Sequence, residues 1–339
     1  MSNFGELLKR VAGGASLDSP EAAAAFGAIM RGEVSEACMA ALLTALSLRK
    51  PTVAEIVGAV RAMRAAMQTV VASDSAIDVC GTGGDGIGTL NVSTATAFVV
   101  AACGVPVAKH GNRSMSSQTG AADVLDALGV PTNLGPDAAA KSLRETGFCF
   151  LFAPKYHAAM KHVAPVRREL GFRTIFNLVG PLSNPAGVKR QLIGVFSKEW
   201  LAPMAEALLE LGTEAAWIVH SDDGLDEISI AAPTQIVVLE RGMISRRTIA
   251  PEDAGLSRAP ISAIAGGDAR TNAAALCALL AGEPSAFRDI VALNTAAALV
   301  VAERAADLRE GAALAADAID SGRARDVLAH AASFSKMVP

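Results

Sequence analysis

The chain has no paired C-x-x-C spacing, and its five cysteines (Cys38, Cys80, Cys103, Cys149, Cys277) are odd in number, widely spaced and set among apolar residues. That pattern excludes a cysteine-based zinc site and a disulfide framework, and it points to a reduced, cytoplasmic protein. Basic charge is not in excess either: 30 Lys+Arg against 34 Asp+Glu leave a formal net charge of -4. No global attraction to nucleic acid or to an anionic membrane follows, so anion binding has to come from a local arrangement of cations and amides. The start, Met1 to Arg10, lacks the basic and then apolar order of a signal peptide. One uncharged run, 86–108, is long enough to span a bilayer, but Gly104 and Pro106 break it, and Asn91, Ser93, Thr94 and Thr96 make its first half polar. It reads as loop, buried helix, turn and buried strand. Internal repeats and low-complexity linkers are absent as well.

What is present is length and alternation. A chain of 339 residues accommodates two unequal domains at about 150 residues each. From 1 to 72 every periodic segment is helical. Ser19 before Pro20 and Glu21 starts one helix and Gly32 ends it, and Ser35 caps the next. Thr52 with Glu55 three residues on forms a capping box ahead of Ile56, Val60, Met63 and Met67. Beyond Asp74, short apolar runs at 77–80, 105–109, 148–152, 191–196 and 216–220 alternate with helices. Runs at 236–239 and 243–249 flank Arg241-Gly242 as a hairpin, and the chain is mostly helical again from about 272. The expected fold class is therefore α/β: a small helical N-terminal domain (1–72, joined by a later helical segment near 165–185) and a larger α/β domain (73–339) whose mostly parallel sheet is covered by helices.

Five constellations carry chemistry. Gly81-Thr82-Gly83-Gly84-Asp85-Gly86 follows a buried strand, and such glycines bring several N–H groups to an anion. Gly81, Gly83 and Gly86 also fit the dinucleotide spacing G-x-G-x-x-G. Against that stand a helix that begins late and a next strand ending in Lys109-His110, where a ribose would want an acid. Asn91-Val92-Ser93-Thr94 opens the following helix, and its hydroxyls either cap that helix or bind phosphate or magnesium. Lys109-His110-Gly111-Asn112-Arg113-Ser114-Met115-Ser116-Ser117 gathers cations, an amide and hydroxyls at the carboxyl end of a strand expected beside the first, where open α/β sheets hold ligands. Asp222, Asp223, Asp226 and Glu227 follow a further strand. Beside a phosphate site they point to a bridging magnesium rather than a surface turn. Finally Arg167-Arg168-Glu169-Leu170-Gly171 precedes Asn177 to Pro185, and Arg167 either takes a substrate carboxylate or pairs with Glu169 or a neighbouring helix.

This ordered set, from Gly81-Thr82-Gly83-Gly84-Asp85 to Asp226-Glu227, resembles the anthranilate phosphoribosyltransferases over nearly the whole chain, with Gly32-Glu33, Gly266-Gly267-Asp268 and Ile319-Asp320-Ser321-Gly322 adding to it. The resemblance implies a magnesium-dependent transfer of phosphoribose from phosphoribosyl pyrophosphate (PRPP) to anthranilate in tryptophan biosynthesis, by a cytoplasmic homodimer joined through its helical domain, without nucleic-acid or membrane partners. It assigns PRPP to Gly81, Gly84, Asp85, Thr89, Asn91, Val92, Ser93, Thr94, the run Lys109 to Ser117 (Met115 included) and Ala121. Magnesium falls to Ser93, Asp226 and Glu227, and anthranilate to Gly81, Asn112 and Arg167, with His157 lining the entrance. It implies no protein nucleophile or general base, and a phosphate contact for His110. Thr119 and Ala121 stand where the family often has serine, and Ala158 where proline is common. Two alternatives share the fold: a pyrimidine nucleoside phosphorylase, which needs no acidic metal pair, and a non-enzymatic nucleic-acid-binding relative, which would carry a basic face.

Overall fold

A computed structural model describes residues 4–113 and 119–334. Four helices open the chain: α1 (Phe4–Ala12), α2 (Ser19–Met30), α3 (Glu36–Arg49) and α4 (Val53–Ala66). The Thr52–Glu55 capping box forms as expected, and Ser35 caps α3. The cap of α2 is Asp18 rather than Ser19: the Asp18 carboxylate accepts the Glu21 N–H, and Pro20, lacking an N–H, sits where none is needed. Glu55 is buried, and besides its cap it accepts the Leu17 N–H at 2.9 Å and pairs with Arg49, so one carboxylate ties three parts of the bundle.

The α/β part follows as β1 (Ile77–Gly81), α5 (Val92–Ala102), β2 (Val107–Gly111), α6 (Ala121–Ala127), α7 (Pro136–Thr146) and β3 (Phe148–Phe152). A return to helix comes next, earlier than the sequence indicates, with α8 (Ala153–Tyr156), α9 (Ala164–Leu170), α10 (Phe176–Val179) and short 3-10 turns between them. The rest is β4 (Arg190–Gly194), α11 (Leu201–Glu210), β5 (Ala215–Ser221), β6 (Thr234–Glu240), β7 (Met243–Ile249) and α12 (Ala269–Leu280), α13 (Ala286–Val301), α14 (Leu308–Asp320) and α15 (Arg323–Phe334).

Among the described residues the strands make one seven-stranded sheet in the order β3-β2-β1-β4-β5-β6-β7. The first five run parallel, and β6 and β7 complete it as an antiparallel hairpin turned at Arg241-Gly242, both with positive φ. Alternate residues face opposite layers. Val79, Leu192, Trp217, Val219 and Val238 pack with α5 and α12–α15. Cys80, Ile193, Ala216, Ile218 and Val237 pack instead with α11, with α1–α4, and with Val166 and Phe176 of the later helical segment. Both faces are covered, so the parallel strands are largely buried, and their polar residues Asp78, Lys109, His110 and Gln191 are buried with them.

Candidate active site

Parallel sheets leave a crevice beyond their carboxyl ends where the chain's direction of travel reverses. Here β1 sends the chain outward through β2 to β3, and the return crossover lays β4 on the other side of β1. The reversal therefore lies between β1 and β4, whose last residues, Gly81 and Gly194, stand opposite each other in register. A methyl on Gly194 would lie 1.5 Å from the Asp226 carbonyl oxygen, and one on Gly81 would lie 2.6 Å from an Asp226 carboxylate oxygen. Two glycines thus let the segment bearing Asp226-Glu227 cross directly over the strand ends, bringing an acidic pair against the glycine loop.

Contacts across this crevice are specific. The Gly83 N–H donates to Asp226 Oδ2 at 2.8 Å, and positive φ at Gly83 and Gly84 shapes that turn. Glu227 Oε1 accepts the Ser93 N–H at 3.1 Å in the first turn of α5. The Ser93 and Thr94 hydroxyls do not cap α5. Its cap position is Asn91, whose side chain is engaged elsewhere: its oxygen accepts from Asn272 at 2.8 Å and its amide donates to the Thr119 carbonyl at 3.3 Å. A helix start receiving a carboxylate fits the dipole, and the Ser93 hydroxyl turns to Lys109 and Glu227. Val92 is buried and its N–H donates to the Leu90 carbonyl, and Thr94 is buried as well.

Lys109 is buried among these groups. Its ammonium donates to the Val79 carbonyl at 2.6 Å and to Ser93 Oγ at 3.2 Å, which engages two of its three N–H donors. Asp85 stands beside Asp226, and Asp226 beside Glu227, with Lys109 as the compensating charge near the last. Burial first, and the facing carboxylates second, push the Asp226 carboxyl up and Glu227 up to about 8. Such crowding marks a shortage of positive charge. Hard oxygen donors from Asp226, Glu227 and Ser93 suit a divalent cation such as magnesium. No three acidic, histidine or cysteine side chains among the described residues form a ready-made cage, and magnesium that shares phosphate oxygens needs only one or two carboxylates.

Other site residues from the sequence fall around this centre. Thr89 bridges Ala265, and the Gly266 N–H donates to the Gly88 carbonyl, so Gly266-Gly267 backs the loop. A methyl on Gly111 would meet Phe150 and the Ala121 methyl, and Ala121 begins α6. Asn112 and Arg113 are exposed, and Arg113 pairs with Asp123 and Asp126 at 2.5 Å each. Ser114, Met115, Ser116 and Ser117 lie outside the described residues. The His110 ring lies beside the backbone of Gly180. It turns inward to His157, Nε2 to Nε2 at 3.2 Å, both rings buried. Burial, then His157, lower His110 to about 3, and burial lowers His157 to about 4, so both are neutral near pH 7.

The helical segment reaches the site at three points. His157 meets His110. Asn184 donates to Asp78 Oδ2 at 2.7 Å and to the Ala108 carbonyl at 2.8 Å, while Asp78 Oδ1 accepts the His110 N–H at 3.1 Å. Arg173 stacks on Phe196 at 4.3 Å and donates to the Gly84 carbonyl. Arg167, on α9, lies over the Phe176 ring at 5.8 Å, half-buried and with no ion pair among the described residues. Asp78, Arg173 and Gly194 are contributors that the sequence motifs do not single out, and Asn184 lies in the 177–185 stretch without a role assigned to it there.

Known proteins share this arrangement. A model of a glycosyl transferase family α/β domain matches residues 73–325, and one of a glycosyl transferase family helical bundle domain matches residues 5–67. Over 329 residues the chain is 56% identical to the anthranilate phosphoribosyltransferase of Rhodopseudomonas palustris (strain BisA53), covering 97% of each. Its structure is similar to that of the anthranilate phosphoribosyltransferase from Thermus thermophilus, with a TM-score of 0.92, 46% identity, and 97% of this chain and 99% of that one covered. It is similar also to the Saccharomyces cerevisiae enzyme in complex with PRPP and Mg, with a TM-score of 0.91 and 27% identity over 99% of both chains.

Proposed function

The chain belongs to the anthranilate phosphoribosyltransferases, and on that premise we propose which residues carry its reaction: transfer of phosphoribose from PRPP to the amine of anthranilate, with release of pyrophosphate, in tryptophan biosynthesis. The observation that carries the assignment is the Asp226–Glu227 segment, laid across Gly81 and Gly194 and hydrogen-bonded to the glycine loop and the start of α5. Magnesium would be held by Asp226, Glu227 and the Ser93 hydroxyl, and when bound it supplies positive charge to the departing pyrophosphate. The glycine loop and Lys109 offer N–H donors to the phosphates. A nucleoside phosphorylase of the same architecture needs no acidic pair, so Asp226 and Glu227 argue against that alternative.

Anthranilate is assigned to the side of the crevice formed by the helical segment. Arg167 is a half-buried cation without a carboxylate partner among the described residues, and a substrate carboxylate satisfies it bidentately. Asn112 and Gly81 complete that side. Little covalent help is required: the chain aligns an aromatic amine behind the anomeric carbon, excludes water and balances charge, and the amine sheds its proton readily once the bond forms. His110 and His157, neutral and facing each other, shape the wall of the pocket. We propose further that the protein acts in the cytoplasm as a homodimer joined through the helical domain, on whose surface Leu48 is 82% exposed. The direct test is loss of anthranilate fluorescence when PRPP and magnesium are added to purified protein. No loss, or a loss indifferent to magnesium chelation, would overturn the reading.

A further inference from the structure

The acidic pair sits on an irregular stretch between β5 and β6, and side chains alone do not fix such a stretch. Its underside rests on Gly81 and Gly194. Its exit is held from the opposite layer. Asn294, fully buried in the middle of α13, accepts the Ile228 N–H on Oδ1 at 3.0 Å and donates from Nδ2 to the Ile228 carbonyl at 2.8 Å. The same Nδ2 donates to the Ile290 carbonyl at 2.8 Å, which locks the amide on its own helix. One side chain thus imitates a neighbouring strand for the residue directly after Glu227. The rest of the stretch ties mainly to itself: Ser229 Oγ donates to Asp223 at 2.7 Å, the Ser221 N–H to the Leu225 carbonyl at 3.0 Å, and the Ser229 N–H to Thr234 at 3.1 Å. Leu225, Ile228 and Ile230 anchor it in the core, but apolar contacts leave sliding freedom that a two-way amide clamp removes.

We infer that Asn294 is the positioning residue of the Asp226–Glu227 pair, setting the pair's height over the ends of β1 and β4. This rests on the magnesium role proposed above. Ligand carboxylates depend on outer partners for orientation, and loss of such a partner typically lowers metal affinity about 10- to 100-fold.

The test uses the full-length protein. PRPP is titrated calorimetrically into wild type, Asn294→Ala and Asp226→Asn at fixed magnesium chloride, with melting temperatures and the KM for anthranilate measured in parallel. Asn294→Ala is expected to weaken magnesium-supported PRPP binding about 10- to 100-fold while leaving the anthranilate KM unchanged. Asn294→Gln keeps both amide functions on a longer stem and serves if the alanine variant does not fold. It should weaken PRPP binding in the same sense. Should Asp226→Asn weaken PRPP while Asn294 variants lower only the melting temperature, Asn294 is merely structural and the inference fails with the metal assignment intact. Should Asp226→Asn leave magnesium-supported binding unchanged, the metal assignment itself fails and takes this inference with it.

Discussion

Arg167 and the His110–His157 pair are the residues at which function and stability separate most cleanly. Arg167 has its charge half-withdrawn from water and no carboxylate partner among the described residues, so it contributes little to folding and much to a bound anion. A lost charge-assisted hydrogen bond costs about 1.5 to 3 kcal/mol, or roughly 10- to 100-fold in affinity. Arg167→Ala should therefore raise the anthranilate KM by that order with PRPP binding nearly unchanged, and equal weakening of both substrates would refute the role. The histidines act on stability. Their folded values, about 3 and about 4, lie below the ordinary 6.5, so the unfolded chain takes up protons first. The histidines' share of stability is fully present above pH 6.5 and falls as pH drops toward 4, by up to about 1.4 kcal/mol per pH unit for each histidine, while the raised carboxyls of Asp78, Asp226 and Glu227 contribute with the opposite sign over the same range. Denaturant titrations of wild type and His157→Phe between pH 7 and 5 isolate one histidine's share as the difference between the two slopes, expected to approach about 1.4 kcal/mol per pH unit; identical slopes would mean that His157 is not buried neutral. Neither inward turn is legible in the sequence. A strand buried on both faces gives no alternation to tell which layer Lys109 or His110 enters.

Elements are far more legible than side-chain directions. The five parallel strands and the hairpin follow from short apolar runs and from Arg241-Gly242, and the capping box at Thr52 and Glu55 marks α4. Local chemistry fixes such features. The cap of α5 is not legible, because its partner, Glu227, arrives from 134 residues away. Gly194 escapes notice for the same reason: a glycine ending an apolar run signals only a strand end, and its purpose exists only once Asp226 lies on it. That purpose makes a strong prediction about β1 and β4. Gly194→Ala places a methyl 1.5 Å from the Asp226 carbonyl, so the acidic segment must lift. Overpacking of this kind costs about 1 to 3 kcal/mol, which a domain of this size tolerates, whereas misplacing the pair should reduce kcat/KM roughly hundredfold. Circular dichroism melting and steady-state kinetics on the same sample distinguish the two. A variant with wild-type kcat/KM would show that the crossing is not needed. Arg173→Met tests the other edge: it removes the donor to Gly84 but keeps bulk against Phe196, and the PRPP KM should rise more than that of anthranilate.

At the scale of the whole molecule, the helical bundle and the sheet are not independent. Periodicity separates residues 1–72 from the remainder, yet the bundle's Phe26, Leu43, Ile56 and Val60 share one continuous apolar layer with Ile193, Ile218 and Val237 of the sheet. The segment between β3 and β4 adds Val166 and Phe176 to the same layer, with Phe26 edge-on to Phe176 at 5.7 Å between centroids. Opening the bundle would therefore strip one face of the sheet, while the opposite face, with α5 and α12–α15, would lose its support through the shared strands. The two tryptophans report on these layers separately: Trp200 is buried with the bundle-side layer, and Trp217 in β5 points into the other. If the layers are coupled through the sheet, Trp200→Phe and Trp217→Phe, each leaving one reporter, should unfold in denaturant with coincident normalised transitions once each variant's own stability is matched by a second probe such as far-ultraviolet circular dichroism. Phe26→Ala added to each background should shift both fluorescence transitions together, by about 3 to 5 kcal/mol. A shift confined to the Trp200 signal would mean that the bundle unfolds alone, and that the helical segment's contacts at His157, Arg173 and Asn184 reach the active site from a separable body.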